Sequence, residues 1–416
     1  MRKLTILLLT LALILNTAAA SADGRTEIDG LSPRNIEIHK AGLNPPADEM
    51  IAQGISPTTG RKLDRIKCPD GFSGAAVTKK YQPVMVQISN DSNGIGYMKN
   101  GKPYAVAPVN GSYADVVYEA CQVSGGAETR MSMIFSDTVP DYAGFLRSTR
   151  LTHVRIRQEW DCIFCSSGYT KADIPEEWVR MGVKTPSTTN DVSRLLVYLG
   201  DVGTNKPWKK YVRRVKGDKS VNSELFELAK IMEEIVPQDH VPANHTWKFT
   251  DELPDEGDRA DFIYVYFGDK YKTDSRLEYD EDDNVYIRYV AMKNDRDLEY
   301  RESVLVNPVD TENSYQVEVQ ERVPGNTITF SNVIIQGITM NWRQGSSIRP
   351  DPVLTGTGNA DYFIGGRHIA GVWEREDFNS RTVFYGPDGE EIELQRGRTL
   401  IILMGYNNQS SKVEYE

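Results

Sequence analysis

The sequence predicts a mixed α+β protein, with an N-terminal α/β domain followed by a mostly antiparallel, β-rich domain. Up to about residue 250, apolar runs of strand length are interspersed with segments of helical periodicity. After residue 259, apolar and polar residues alternate, which is typical of strands with one solvated face. The chain has 416 residues, more than a single hydrophobic core usually holds, and this length favours two domains.

Residues 1–22 have the three parts of a signal peptide. A basic start precedes an apolar run over 4–15, and small residues follow, ending in Ala20-Ser21-Ala22. The apolar run is shorter than the roughly 20 residues that a bilayer-spanning helix needs, and a polar, proline-containing stretch comes next. We therefore expect cleavage after Ala22, an extracytoplasmic protein and no transmembrane segment in the mature chain.

Composition and motif spacing limit the function classes. The net charge is −11, which argues against general binding of nucleic acid, because such binding rests on Lys and Arg neutralising phosphates. No histidine stands at metal-ligand spacing to another histidine or cysteine, and no segment forms a phosphate loop or a nucleophile elbow. The sequence therefore predicts no metal and no other cofactor.

The chain has four cysteines, Cys68, Cys121, Cys162 and Cys165, and the last two have the spacing of a redox pair. Residues 160–164 are predicted as a buried strand, in which side chains three positions apart point to opposite faces, beyond disulfide reach. Buried thiols are the favoured interpretation. A structural disulfide and redox catalysis stay open, with three possible pairings of the four cysteines.

Residues 23–78 are predicted to form a flexible, proline-rich leader, and residues 79–250 the N-terminal domain. The predicted strands of this domain are 84–88, 115–119 and 130–135, and a turn is expected at Gly125-Gly126. Its predicted helices are 150–158, 173–182, 190–199 and 223–236. The last of these has the clearest pattern, because its apolar residues fall on one helical face.

An acidic, proline-containing stretch over 237–258 predicts the domain boundary, and the β-rich domain is predicted over 259–405. Its strands are indicated by residues 262–267, 285–290, 315–319 and the buried run 399–404. A turn at Pro387-Asp388-Gly389 predicts a hairpin between 383–385 and 391–394. Residues 406–416 are predicted to be a polar tail.

Short motifs follow one another in a fixed order along the chain. They are Val117-Tyr118-Glu119, Gly125-Gly126, Thr129-Arg130, the run 147–150, the run 332–335, the stretch 365–373, Asp388-Gly389 and Gly397-Arg398-Thr399. As a series they resemble the YerB-like family of bacterial envelope lipoproteins, the domain of unknown function 3048 with its N- and C-terminal parts. The resemblance covers roughly residues 76–405 and implies a two-domain extracytoplasmic protein without implying an activity.

The chain departs from this family in two places. Family members often carry a lipidated cysteine at the signal cleavage site, whereas the first cysteine here is Cys68, so a lipid anchor is not expected. The family also tends to have a histidine and glycines after the strand that follows the arginine motif. This chain has Cys165-Ser166-Ser167-Gly168 there, so chemistry that depends on that histidine is not expected.

Charged residues gather around the predicted start of the helix 150–158. The N–H groups and the dipole of a helix start favour an anion, and two guanidinium groups can hold a carboxylate or phosphate bidentately. The candidate ligand-binding residues are Arg147, Arg150, Glu119, Glu128, Arg130 and His153. The alternative is that the arginines pair internally with Glu119 and Glu128 and fix the helix to the sheet.

The sequence therefore predicts an envelope protein that binds an anionic cell-wall polymer or an envelope protein. A second hypothesis is a hydrolase or lytic enzyme for wall glycan or peptide, with Glu119 and Glu128 as its paired carboxylates. Neighbouring arginines would lower the pKa of both carboxylates, whereas a general acid needs a raised pKa. A third hypothesis is a structural partner in an envelope complex.

Overall fold

The computed structural model describes residues 24–40, 42, 44–90, 96–99, 102–122, 128–168, 196–199, 211–217, 223–234, 240–268, 274–292, 296–310, 316–343, 349–407 and 411–416. The helices in these ranges are α1 (Ala47–Ala52), α2 (Ala75–Thr78), α3 (Leu151–Trp160) and α4 (Leu228–Glu234), with single 3-10 turns at Leu63–Arg65 and Gly111–Tyr113. None of these helices combines the length and apolar character that a bilayer crossing requires.

Strands make up most of the remaining structure. Those of the first half are β1 (Thr26–Glu27), β2 (Val84–Asn90), β3 (Gly96–Lys99), β4 (Lys102–Val109), β5 (Val116–Cys121), β6 (Thr129–Phe135), β7 (Tyr142–Gly144), β8 (Ile163–Ser167), β9 (Leu196–Leu199), β10 (Val212–Val215) and β11 (Glu224–Glu227). The predicted strands at 84–88, 115–119 and 130–135 correspond to β2, β5 and β6.

The second half continues the β pattern. Its strands are β12 (Lys248–Thr250), β13 (Asp258–Arg259), β14 (Phe262–Tyr266), β15 (Ser275–Asp280), β16 (Val285–Met292), β17 (Arg296–Val306), β18 (Val309–Asp310), β19 (Gln316–Glu318), β20 (Glu321–Thr327), β21 (Thr329–Phe330), β22 (Asn332–Gly337), β23 (Met340–Arg343), β24 (Arg349–Pro352), β25 (Gly356–Ile364), β26 (Arg367–Arg375), β27 (Val383–Tyr385), β28 (Glu393–Gln395), β29 (Thr399–Met404) and β30 (Lys412–Tyr415).

One central sheet contains strands of both halves, in the order β13-β26-β25-β22-β29-β5-β6-β2-β8-β9. Its middle strand β29 runs parallel to β22 on one side and to β5 on the other, with Thr399 opposite Asn332 and Val116. Every residue of β29 is buried, as expected for a parallel strand covered on both faces. A strand of the C-terminal half, β29, therefore joins the strands of the two halves in one sheet.

A second sheet follows the order β1-β30-β14-β15-β16-β17-β4-β7-β11-β10-β19-β18 and also joins the halves, because β17 pairs in parallel with β4. Side chains of the central sheet alternate between two core clusters. In β5, Val117 and Cys121 point into the larger cluster, and Val116, Tyr118 and Ala120 point into the other. Both clusters contain residues of both halves.

The described part of the predicted leader is folded against the rest of the chain, which corrects the prediction of a flexible leader over 23–78. Helix α1 and the turn at Leu63–Arg65 contribute to a small core with Ala75 and Tyr81. The buried hydroxyls of Ser56 and Thr59 donate hydrogen bonds to Asp137 at 2.5 and 2.6 Å. The polar residues suggested a solvated segment, but the fold itself supplies their hydrogen-bond partners.

Four further predictions are corrected by strand pairing. The N-terminal region is mostly β rather than α/β, and the predicted helix 223–236 is divided into strand β11 and helix α4. Residues 196–199 are strand β9, and the polar tail contains β30, which pairs with β14. Hydrogen bonding to neighbouring strands outweighs the helical propensity of these segments. The predicted helix 173–182 and the predicted turn at Gly125-Gly126 lie outside the described residues.

Candidate functional site

Glu119 lies in the interior, in contact with the C-terminal half. Its Oε2 is 2.7 Å from a guanidinium nitrogen of Arg288 on β16, and both side chains are fully buried. Its Oε1 accepts hydrogen bonds from Asn90 at 2.8 Å and from Thr129 at 2.6 Å. The ring of Tyr300 stacks against the guanidinium of Arg288, 4.6 Å from its centroid. Glu119 is therefore part of a buried ion pair between the halves, a geometry that favours a structural role.

The two predicted carboxylates do not form a pair. In the β5–β6 register Glu119 lies opposite Met131, and Ala120 lies opposite Arg130, so Glu119 and Arg130 point to opposite faces of the sheet. Arg130 instead forms an ion pair with Glu128. Two guanidinium nitrogens of Arg130 each donate a 3.1 Å hydrogen bond to Oε1 of Glu128. The separation removes Glu119 from the predicted ligand-binding group and leaves Glu128 in it.

The other predicted residues do meet, at the N-terminus of α3. Arg150 is the last residue before the helix, and the guanidinium of Arg130 donates a 2.6 Å hydrogen bond to the carbonyl of Ser148 in the loop that leads there. Arg147 donates a 3.2 Å hydrogen bond to the hydroxyl of Ser89. We call Arg130, Arg147, Arg150 and Arg349, the first residue of β24, the arginine cluster.

The members of the arginine cluster act on one another electrostatically. The pKa of Arg150 is lowered to about 9, chiefly by partial burial and also by the positive charges of Arg130, Arg349 and Arg147, against the opposing charge of Glu128. The group still carries its charge at neutral pH. Like charges held together at a partly buried position destabilise one another, so an anion that entered the cluster would relieve this repulsion.

His153 completes the helix start. The backbone N–H of Arg150 donates a 2.9 Å hydrogen bond to Nδ1 of His153, which fixes the proton of a neutral ring on Nε2. Nε2 is buried and has no hydrogen-bond partner among the described residues. Burial lowers the pKa of His153, and so do the charges of Arg130 and Arg150, which keeps the ring neutral. The structure thus places a buried N–H donor beside the guanidinium groups.

Arg349 is the residue of this cluster that sequence reasoning did not find. It belongs to β24, whose Pro352 carbonyl accepts a hydrogen bond from Arg155 on α3. Asp351 of the same strand is 2.8 Å from Arg155. The sequence shows Arg349 only as a basic residue in the C-terminal half, and no local pattern connects it with the start of α3. Its proximity to Arg150 is set by the packing of β24 on α3, about 200 residues away in the chain.

Helix α3 itself is enclosed. All ten of its residues are buried, although the helix contains Arg155, Arg157 and Glu159. Glu159 is 3.3 Å from Arg375 of β26 and 3.2 Å from His245, and it accepts a 2.7 Å hydrogen bond from the backbone N–H of Thr382. These ion pairs hold the helix, and so its N-terminal arginines, at a fixed position between the two halves.

The thiols of Cys162 and Cys165 are both buried. Burial raises the pKa of Cys162 to about 12, and it raises the pKa of Cys165 as well, so few thiolates form at neutral pH. A redox pair requires a lowered pKa and access to its partner. The structure therefore favours the interpretation as packed thiols. In the described part of the chain, no group of three or more His, Cys, Asp or Glu side chains is arranged to hold a metal ion.

A thiol-labelling experiment checks this arrangement. We expect a thiol-specific reagent at neutral pH to modify the half-buried Cys68 first, and to modify Cys162 and Cys165 only in denaturant. Mass spectrometry of the digested protein identifies the labelled sites. Labelling of Cys162 or Cys165 in the native protein at the rate of Cys68 would show that the pair is accessible.

The chain belongs to the family described as protein of unknown function DUF3048. The model of its N-terminal domain matches residues 72–216, and the model of its C-terminal domain matches residues 263–401. The fold is similar to that of a solved structure, the YerB protein from Bacillus subtilis. The likeness has a TM-score of 0.57 and 18% identity, and covers 86% of this chain and 99% of that chain. A comparison with curated proteins finds no match.

Proposed function

We propose that this protein works outside the cytoplasm and binds an anionic component of the cell envelope through the arginine cluster. One observation carries the proposal. Arg150 lies at the N-terminus of a fully buried helix whose first turn contains no acidic residue, and the positive charges of Arg130 and Arg147 from the same half and of Arg349 from the other half act on it. The predicted signal peptide supports an extracytoplasmic location, and the net negative charge of the protein makes this positive region distinctive.

The chemistry of the cluster suits a carboxylate or phosphate. Guanidinium groups offer paired N–H donors that match two oxygens of such an anion, and the helix dipole adds a partial positive charge at the same place. The Nε2–H group of His153 is a further donor, and it has no hydrogen-bond partner in the described chain. Peptide carboxylates, teichoic phosphates and uronic acids are the envelope components with this chemistry.

Binding to purified cell wall tests the proposal. The purified protein is mixed with wall sacculi that retain or lack teichoic acid, and the bound fraction is measured after sedimentation. We expect the Arg147→Gln/Arg150→Gln variant to bind at least about tenfold more weakly, since each lost charge-assisted hydrogen bond costs about 1.5–3 kcal/mol. The comparison of the two wall preparations identifies the anion as phosphate or carboxylate.

The matched control is Lys40→Gln/Arg259→Gln. It removes the same charge from two exposed positions, with side chains 67% and 78% accessible. This variant is expected to bind like the wild type, and all three proteins should melt within a few degrees of one another. Equal binding by the Arg147→Gln/Arg150→Gln variant and the wild type, or no binding by the wild type, would contradict the proposal.

A further inference from the structure

A cavity of about 710 Å³ lies where six parts of the chain meet. Its walls come from the segment 55–67, from the loops at 112–115 and 137–138, from Asp251, and from Asn326, Thr327 and the segment 396–398. The volume is in the range of sites that hold small ligands. The cavity is separate from the arginine cluster, since the two share no residue.

The walls of this cavity carry an excess of positive charge. Three acidic side chains, Asp115, Asp137 and Asp251, face six basic ones, which are Arg61, Lys62, Arg65, Lys67, Arg396 and Arg398. Burial, together with the charge of Arg61, lowers the pKa of Arg398 to about 10. The charges of Arg61 and Arg398 therefore repel each other, and an anionic ligand would relieve that repulsion.

Two arginines of the cavity, Arg396 and Arg398, are held in position by hydrogen bonds. Arg398 donates hydrogen bonds to the carbonyl of Ser112 and, at 2.7 Å, to the hydroxyl of Thr329. Arg396 donates a 2.6 Å hydrogen bond to the carbonyl of Gly60 and lies 3.0 Å from Asp251. Arg61 is exposed, and its guanidinium lies beside Gly397, the residue that separates Arg396 and Arg398 in the chain.

Asp115 and Asp137 are two buried carboxyl groups at the inner wall. Oδ2 of Asp115 accepts the backbone N–H groups of Ser136 at 2.7 Å and Asp137 at 2.8 Å, so Oδ1 is the oxygen that remains for a ligand. Ser56 and Thr59 donate to the two oxygens of Asp137. These donors favour the charged form of Asp137. Burial raises the pKa of both groups, and the charge of Asp137 raises that of Asp115 further, so Asp115 is the member of the pair that takes up a proton first.

The buried pair of Asp115 and Asp137 is an unusual feature for a cavity wall that has only a structural role. Two carboxyl groups held together in the interior cannot both ionise without cost, so the pair destabilises the fold relative to one with a neutral amide of the same shape in place of one carboxyl group. A carboxylic acid kept protonated by its surroundings can donate a hydrogen bond to a bound oxygen, as known enzymes with buried acids do. Local features that reduce stability are typical of functional sites.

We propose that this cavity is a second ligand site, which binds the phosphate group of a phosphate ester. Arg61, Arg396 and Arg398 are its cationic partners, and the Asp115 carboxyl group donates a hydrogen bond to a phosphate oxygen. The charge excess of the walls matches a phosphate dianion better than a single carboxylate. The side chains of Ile55, Ile66 and Tyr113 offer a surface for the organic part of the ester. The proposal is independent of the arginine cluster.

Calorimetric titration of the purified protein tests the site, with glycerol 1-phosphate, inorganic phosphate and glycerol as probes. We expect the two phosphate compounds to bind and glycerol not to bind. Arg61→Gln should lower the affinity for both phosphate compounds about tenfold to a hundredfold, because it removes a charge-assisted hydrogen bond to the ligand. The Arg61 side chain is exposed, so the fold does not depend on it. Arg259→Gln is the charge-matched control and should bind like the wild type.

Asp115→Asn tests whether the Asp115 side chain acts as a neutral hydrogen-bond donor, while its hydrogen bonds to the backbone are kept. The amide oxygen can accept the N–H groups of Ser136 and Asp137, and the amide N–H can still donate to a phosphate. This variant should melt at a higher temperature than the wild type and keep its affinity for glycerol 1-phosphate within a few fold. A lower melting temperature, or loss of binding, would overturn the assignment of Asp115 as a protonated donor.

Two outcomes would overturn the site as a whole. One is the absence of binding of both phosphate compounds to the wild type, and the other is equal affinity in wild type and Arg61→Gln. Neither outcome bears on wall binding by the arginine cluster, which the Arg147→Gln/Arg150→Gln variant tests separately. Glycerol 1-phosphate that binds more tightly than inorganic phosphate would identify an ester as the preferred ligand, whereas equal or weaker binding would contradict that part of the proposal.

Discussion

Replacing Arg288 by methionine is expected to lower the free energy of unfolding by about 3–5 kcal/mol, because it leaves the charge of Glu119 buried without its partner. Both side chains are inaccessible to solvent, and their charged atoms are 2.7 Å apart. The remaining hydrogen bonds to Glu119, from Asn90 and Thr129, do not neutralise its charge. Urea denaturation followed by tryptophan fluorescence measures the change.

A double variant separates the cost of an unpaired charge from the loss of packing. Glu119→Leu/Arg288→Met removes both charges, and replacement of a whole buried ion pair by apolar residues is often nearly neutral. We therefore expect it to recover most of the stability lost in Arg288→Met. Arg259→Met, at an exposed position, is the control and should stay within about 0.5 kcal/mol of the wild type. A loss below about 1 kcal/mol in Arg288→Met would show that Glu119 reaches water or another cation.

The second large effect is expected at Glu159. Glu159→Ala leaves Arg375 without its carboxylate partner and removes the acceptor of the Thr382 N–H group and of His245. We expect a loss of about 3–5 kcal/mol at pH 7, as for other broken buried ion pairs. The variant also releases the helix that carries Arg150, so wall binding should fall together with stability.

The pH dependence of stability gives Glu159 a separate signature. Burial raises the pKa of this carboxyl group, but the charge of Arg375 and the hydrogen bond and charge of His245 outweigh it, and the pKa falls from 4.5 to about 2. A group with a lowered pKa in the folded state stabilises the fold above its unfolded pKa, and this contribution is lost as the pH falls through the folded value. Wild type should therefore lose this stability between about pH 4.5 and pH 2.

The Glu159→Ala variant lacks that contribution at every pH. The difference in unfolding free energy between wild type and variant should shrink as the pH is lowered from 5 toward 2. Denaturant titrations at several pH values in this window measure the difference. A difference that stays constant over the whole window would show that Glu159 does not titrate with a lowered pKa, and would contradict the role of Arg375 as its partner.

Local patterns were sufficient for part of the fold. Strands such as β2, β5, β6 and β29 were predicted because each is a short apolar run bounded by turn residues. The same patterns failed where pairing decided the structure, as in the strand β11 inside a segment with helical periodicity. The parallel contacts of β29 join residues 67 positions apart in β22 and 283 positions apart in β5, and no local signal in the chain encodes them.

The candidate site shows the same division. Arg147 and Arg150 were predicted to lie close together because they flank one helix start. Arg130 was predicted on a strand that precedes this helix, and the structure gives the register of that strand with β5. Glu119 was grouped with them because it is near in sequence, yet the alternation of β5 turns it to the other face. Arg349 and the cavity around Asp115 and Arg398 are assembled from distant segments, so they were visible only in the folded chain.

Arginine footprinting tests the central claim most directly. The purified protein is treated with an arginine-specific dicarbonyl reagent, with and without soluble teichoic polymer, and the modified residues are quantified by mass spectrometry. We predict that the polymer suppresses modification of Arg147 and Arg150 and leaves that of the exposed Arg259 unchanged. Equal modification of Arg147 and Arg150 with and without the polymer, under conditions where the polymer binds, would contradict the assignment of the arginine cluster as the binding site.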